Sequence, residues 1–174
     1  MPDYVRPKLP GARVFFTVAL ADRGSDVLVR EIGRLREAVR EVRAERPFGI
    51  DAWVVLPDHM HAVWTLPGGD ADFSTRWKDI KARFTKAVGI VGRRSPSKIA
   101  KGEAGLWQRR FWEHHIRDEP DYAAHVRYCW INPVKHGLVA RAVDWPYSSI
   151  HRDIAHGIVE PEWAGSAVDG RFGE

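Results

Sequence analysis

Cysteine is almost missing from this 174-residue chain: Cys129 stands alone. That excludes an intramolecular disulfide and a cysteine-built zinc framework. Long apolar runs are missing as well. No stretch could span a bilayer, and the N-terminus has no apolar signal-peptide core. Internal repeats are absent too. What remains is 44% hydrophobic, enough for a packed core. The expectation is a soluble, cytoplasmic protein without membrane contact, built as one domain with a tail.

Acidic residues are scarce in one segment only. Between Arg76 and Arg117 stand 12 Lys or Arg against three acids, Asp79, Glu103 and Glu113, a local balance of +9 in a chain of net charge +4. The rest of the chain is therefore −5. A near-neutral body with one basic segment suits a polyanion docking on one side. Trp77, Phe84, Trp107, Phe111 and Trp112 fall in the same segment. Cations interleaved with flat rings suit single-stranded nucleic acid, whose phosphates and unstacked bases need both. The competing reading is a solvated helix face plus core tryptophans.

Hydrophobic periodicity divides the chain into alternating elements. Residues 13–20 are aromatic and β-branched behind a Pro-Gly break and predict a strand. From Ser25 to Arg46, Leu28, Ile32, Leu35, Val39 and Val42 recur at helical spacing until Pro47. Residues 51–56 and 59–66 predict two strands around a Pro57-Asp58 turn. A helix from about Ser74 to Val88 carries Trp77, Ile80, Phe84 and Val88 on one face. Residues 89–105 show no period and read as a loop. Leu106 to Ile116 read as a fourth strand or irregular edge. Asp118-Glu119-Pro120 opens a helix to about Ile131, ending before Pro133. Residues 134–174 read as a packed tail with little regular structure. This order predicts an α+β fold of ferredoxin-like type: an antiparallel sheet with helices on one face. The expected organisation is an arm over 1–12, a domain over 13–140 and a tail over 141–174.

The chemistry concentrates on two segments. In Leu56-Pro57-Asp58-His59-Met60-His61-Ala62-Val63-Trp64, strand alternation sends His59 and His61 to one face and Met60, Ala62 and Trp64 to the other. Paired imidazoles suggest half of a metal site. With helices over Met60 and Trp64, the histidines are left on the open face. In the last helix Tyr128 and Asn132 are four apart and share a face, with His125 nearby. An amide oxygen is a hard ligand, and a phenol one turn away can attack what a metal polarises.

These segments resemble a known family. "WVVLPDHMHAVW" followed by "YCWINPVKHGLV" is similar to the single-tyrosine HUH transposases, and more narrowly to the REP-associated tyrosine transposases. "FFTVAL", "RPFGIDAWVVLPDHMHAVWTLP", "GLWQRRFWEHHIRDEPDY" and "DWPYSSIHRD" extend the likeness over most of residues 4–165. The resemblance implies the HUH nuclease fold, with the active site on the sheet face opposite the helices. It implies that His59 and His61, with Asn132 as third ligand, hold Mg²⁺ or Mn²⁺. It implies that Tyr128 attacks single-stranded DNA, leaving a 5′-phosphotyrosine link and a free 3′-OH, and that strands are rejoined without nucleotide hydrolysis. The partner implied is a REP-type hairpin with a short recognition sequence at its foot. Lys78, Lys81, Arg83, Arg109, Arg110 and Arg117 would hold the hairpin, and Arg6, Lys8 and Arg13 the foot. A nucleoid-associated monomer is implied, with a dimer as the alternative.

Each residue also has a structural reading. Asn132 could cap the helix before Pro133. His114, His115, His125 and His136 could assist proton transfer or contact phosphate but read first as structural or exposed, Asp58 as a turn residue, and Cys129 as a small buried group about 100° of helix from Tyr128. Two other functions fit the same residues: a phosphodiesterase using metal-bound water, and a hairpin-binding module without catalysis.

Overall fold

The computed structural model describes residues 4–165 and Phe172. Strands β1 (Arg13–Ala19), β2 (Gly49–Val55), β3 (His59–Thr65) and β4 (Trp112–His115) form one antiparallel sheet in the order β2-β3-β1-β4. Helices α1 (Val27–Arg30), α2 (Ile32–Glu45), α3 (Phe73–Val88), α4 (Pro96–Ala100), α5 (Glu119–Lys135) and α6 (Ile150–Ala155) complete the chain, with a 3₁₀ turn over Ala142–Asp144. The expected α+β architecture is present. Parts of the expected arm (1–3) and tail (166–171 and 173–174) lie outside the described residues.

Alternation builds two cores, one on each sheet face. Val14, Phe16 and Val18 of β1 and Met60, Ala62 and Trp64 of β3 pack with α2 and α3. There Trp64 stacks on Trp77 at 4.3 Å and 17°, and both rings are fully buried. Phe15, Ala52, Val54 and Val63 face the other way, against Val126, Cys129 and Trp130 of α5. The histidine face is therefore not open, because α5 lies on it. This corrects the expectation, and its cause is visible in α5. Its apolar residues form a broad inward band that needs a sheet to cover it.

Four element boundaries differ from the sequence reading. The Ser25–Arg46 helix breaks at Glu31 into α1 and α2. The 89–105 loop holds α4, capped where Ser95 Oγ accepts from the Lys98 amide. The fourth strand shrinks to four residues plus a bridge from Trp107 to Leu20. The tail is more regular than expected because it finishes the sheet. The Ser149 amide donates to the Trp53 carbonyl, and the Val55 amide to the Tyr147 carbonyl, along the free edge of β2.

The fifth difference shapes the site. α5 does not stop before Pro133 but runs through it to Lys135. A proline this far along a helix forfeits one amide bond and its ring crowds the carbonyl four residues back, a cost the surrounding structure has to offset. A C-terminal cap compensates: the Gly137 amide donates to Val134 and the Leu138 amide to Pro133. This paired closure needs a left-handed residue, and Gly137 supplies it at φ 68°.

Candidate functional site

β3 and α5 bring the predicted residues together. His59 and His61 are 2% and 0% exposed, with ring centroids 5.0 Å apart. The Tyr128 ring lies 5.1 Å from that of His61. Asn132, one turn on, is fully buried and sits inside the helix, so it is not a cap. Its carbonyl accepts the His136 amide at 3.0 Å.

Neighbouring groups set the tautomer of each histidine. The Thr17 hydroxyl sits 2.8 Å from His61 Nδ1 and donates its proton to the Phe172 carbonyl. With that proton spent, His61 Nδ1 must be the donor, and the ring's lone pair is on Nε2. For His59, Nδ1 lies 2.7 Å from Asp58 Oδ1. Asp58 Oδ2 accepts from Arg23 Nε at 2.7 Å. Burial pushes the Asp58 carboxyl up, but the bonds from Arg23 and His59 outweigh it and hold it below its ordinary value. Arg23 Nη2 also lies 3.2 Å from His59 Nδ1, but the Asp58 carboxylate is the closer partner, and with the Nδ1 proton donated to it the lone pair is on Nε2. Carboxylate or hydroxyl behind imidazole is how proteins orient histidine ligands for metals. The donor set, two such imidazoles plus a buried amide side chain, fits a divalent cation.

Three residues of this arrangement were missed in the sequence. Thr17 is the cross-strand partner of His61 in the β1–β3 register, and only the register reveals it. Asp58 is more than a turn residue, though its place next to His59 was a signal. Lys135 lies two turns beyond Tyr128 and donates from Nζ to the phenol oxygen at 2.9 Å. Seeing it required carrying the helix through Pro133. The opposite face of the phenol is covered by Phe172, stacked at 3.7 Å and 8°.

A second cluster lies one turn before Tyr128. His114, Asp121 and His125 have ligand atoms within 4.8 Å of one another, a group of the type that can hold a metal ion. Its members are hydrogen-bonded to one another. His114 Nε2 is 2.8 Å from Asp121 Oδ2, and His125 Nδ1 donates to the Asp121 carbonyl at 2.8 Å. The two rings stack at 4.7 Å. Burial would raise the Asp121 carboxyl, but the Arg117 amide and His114 hold it at about 2. The cluster ties β4 to the first turn of α5. Cys129 is fully buried, and burial pushes its thiol up.

The basic segment resolves into a groove and a scaffold. Arg6, Lys78, Lys81, Lys86 and Arg109 line a groove of about 640 Å³ with Trp107 and Phe111, between α3 and residues 102–111. That groove is on the α3 side of the sheet, opposite the histidines. Arg6 stacks over Phe111 at 3.8 Å and pairs with Glu113 at 3.4 Å. Burial, with the charge of Arg6, pushes Lys81 down to about 8. Lys8 and Arg110 are exposed. Arg109 is bound by Glu103 and Ser97, and Arg117 by Asp121. Arg13 pairs with Glu119 beside α5. Arg83 is held by two ion pairs: Glu41 at 3.1 Å and Glu45 at 2.6 Å tie it to α2. Arg76 is 2% exposed and bonds Asp70 and the Arg46 and Pro47 carbonyls, so it is scaffold. The aromatic signal was largely core as well, since Trp77 and Phe84 are fully buried.

No family model matches the chain. A REP-associated tyrosine transposase of Escherichia coli (strain K12) is 48% identical over 174 residues, spanning 100% of this chain and 98% of that one. A relative from Haemophilus influenzae is 40% identical over 167 residues, 95% of each chain. A solved structure of a REP-associated tyrosine transposase bound to a REP hairpin superimposes with a TM-score of 0.90 at 48% identity, covering 100% of this chain and 98% of that one. Among the described residues no helix is long and apolar enough to cross a membrane.

Proposed function

Because the chain belongs to the REP-associated tyrosine transposases, we propose that it cleaves and rejoins single-stranded DNA at REP-type hairpins, with Tyr128 as nucleophile and His59, His61 and Asn132 as ligands of Mg²⁺ or Mn²⁺. The observation that carries this reading is the 5.1 Å approach of the Tyr128 and His61 rings, made by α5 crossing β3 within one chain. Nucleophile and ligands come from the same copy, which supports action as a monomer.

Tyr128 Oη forms the new bond to the scissile phosphorus while the P–O3′ bond breaks. The 5′ phosphate stays on tyrosine, and the 3′ oxygen leaves as a hydroxyl. The phenol gives up one proton and the leaving oxygen takes one up, so the exchange is balanced. An incoming 3′-OH reverses the step, and no nucleotide need be hydrolysed. A bound divalent cation would supply charge stabilisation at the phosphate oxygens. The Lys135 ammonium stabilises negative charge on the phenol oxygen as it attacks. Asp58 and Thr17 keep both imidazole lone pairs on Nε2. The groove lined by Lys78, Lys81 and Arg6 holds hairpin phosphates on the other side of the sheet, with Phe111 as the flat surface beside it.

The test is a hairpin oligonucleotide labelled on either end and incubated with the protein and Mn²⁺. A denaturing gel should show a protein band carrying only the 3′-side label, and a released 5′-side fragment ending in 3′-OH. Cleavage with no protein-linked label would instead favour attack by metal-bound water, and tight binding without cleavage would favour a hairpin-binding module.

A further inference from the structure

The continuation of α5 through Pro133 places one more imidazole at the site. Tyr128, Asn132 and His136 are spaced four apart, so they lie on one stripe of the helix, each one turn beyond the last. The His136 ring centroid is 5.0 Å from that of His59, the rings inclined at 69°. The His59–His61 separation is also 5.0 Å, at 83°. His59 is thus flanked by two imidazoles at equal distance, one on its own strand and one on α5.

That distance is informative. A metal–imidazole bond is about 2.1 Å, which puts each ring centroid roughly 3.2 Å from the ion. Two rings subtending about 90–109° at a shared ion are then separated by about 4.5–5.2 Å, as octahedral or tetrahedral sites require. Both pairs fall inside that window. His136 is also held in place: it is the C-cap of α5, closed by the Gly137 and Leu138 bonds back to Val134 and Pro133. It is exposed, whereas His59 and His61 are buried.

We infer that His136 is a further ligand of the metal held by His59 and His61, giving a site of three imidazoles with Asn132. This rests on the metal-site reading above and extends it. The consequence is a shift of metal preference. First-row ions accept imidazole nitrogen increasingly well from Mn²⁺ through Co²⁺ to Cu²⁺, whereas Mg²⁺ favours oxygen donors. Three imidazoles should therefore make the site bind Mn²⁺ and Co²⁺ well ahead of Mg²⁺.

The experiment is Mn²⁺ titration of the full chain without DNA, read by the loss of free-ion EPR signal, on the wild type, His136→Ala, His136→Asp and His59→Ala. Circular dichroism confirms that each variant is folded. The inference expects His136→Ala to weaken Mn²⁺ binding by at least about tenfold. His136→Asp should narrow the Mn²⁺ preference over Mg²⁺ by restoring an oxygen donor. Pulsed EPR of the Mn²⁺ complex should count three coupled imidazoles in the wild type and two in His136→Ala. If His59→Ala loses the metal while His136→Ala binds Mn²⁺ as the wild type does, with two imidazoles in both, His136 is not a ligand and the two-histidine reading stands. If the wild type takes up no Mn²⁺, the metal-site reading fails and this inference with it.

Discussion

Lys135 donates to the hydroxyl of Tyr128 at 2.9 Å from two turns further along the same helix, its ammonium 4.9 Å from the ring centroid. The bond exists only because α5 passes through Pro133. It puts a fixed positive charge beside the oxygen that turns negative during attack. Lys135→Gln keeps a donor but removes the charge. It should lower the rate of covalent adduct formation by about 10²-fold, the scale of a lost electrostatic contact in a transition state. Lys135→Arg should recover part of it, with hairpin affinity unchanged in both. Single-turnover adduct kinetics measures this.

The groups behind the two histidines have a separable effect. Asp58→Ala removes the acceptor at His59 Nδ1, and Thr17→Val removes the partner of His61 Nδ1. Each should cost about 10- to 100-fold in metal affinity. Raising the Mn²⁺ concentration should restore cleavage in both variants, whereas a purely structural defect would persist at saturation.

Asp121 gives a pH prediction with a definite sign. Its folded carboxyl is depressed from 3.8 to about 2, so its contribution is fully present above the unfolded value and is lost as the pH falls through the folded one. Asp121→Asn should therefore destabilise the fold by on the order of 2 kcal/mol at neutral pH. The gap to the wild type should close between about pH 4 and pH 2. Urea denaturation across that range checks it.

DNA affinity should distinguish groove from scaffold. Lys78→Ala should reduce the slope of log affinity against log salt by about 0.9, the loss of one phosphate contact. Arg83→Gln should leave the slope unchanged, since Glu41 and Glu45 already hold that guanidinium. Hairpin binding by fluorescence anisotropy at several salt concentrations reads both.

The sheet and its histidine pair were legible because parity along β3 is strict: Met60, Ala62 and Trp64 fill one core, and His59 and His61 face the other way. The helical spacing of Tyr128 and Asn132 was equally plain. The support around them was not. Thr17 meets His61 only through strand register, which no local pattern encodes. Lys135 and His136 were hidden by the rule that helices stop before proline, here overridden by the Gly137 cap. Charge density misled in a different way. A basic residue in the 76–117 run looks the same whether it is buried like Arg76, ion-paired like Arg83 or exposed like Arg110. Its environment is set by helices α2 and α3 packing together, a tertiary fact.

The central claim is that Tyr128 becomes covalently joined to DNA. The most direct measurement is mass spectrometry of protease-digested reaction product, made with a single-stranded REP-type hairpin in Mn²⁺ for the wild type and Tyr128→Phe side by side. The account predicts a nucleotide-modified peptide with the phosphate on Tyr128 in the wild type, and in Tyr128→Phe neither adduct nor cleavage despite retained hairpin binding. Cleavage by Tyr128→Phe at the wild-type rate, or an adduct mapped to Tyr4, Tyr122 or Tyr147, would contradict it.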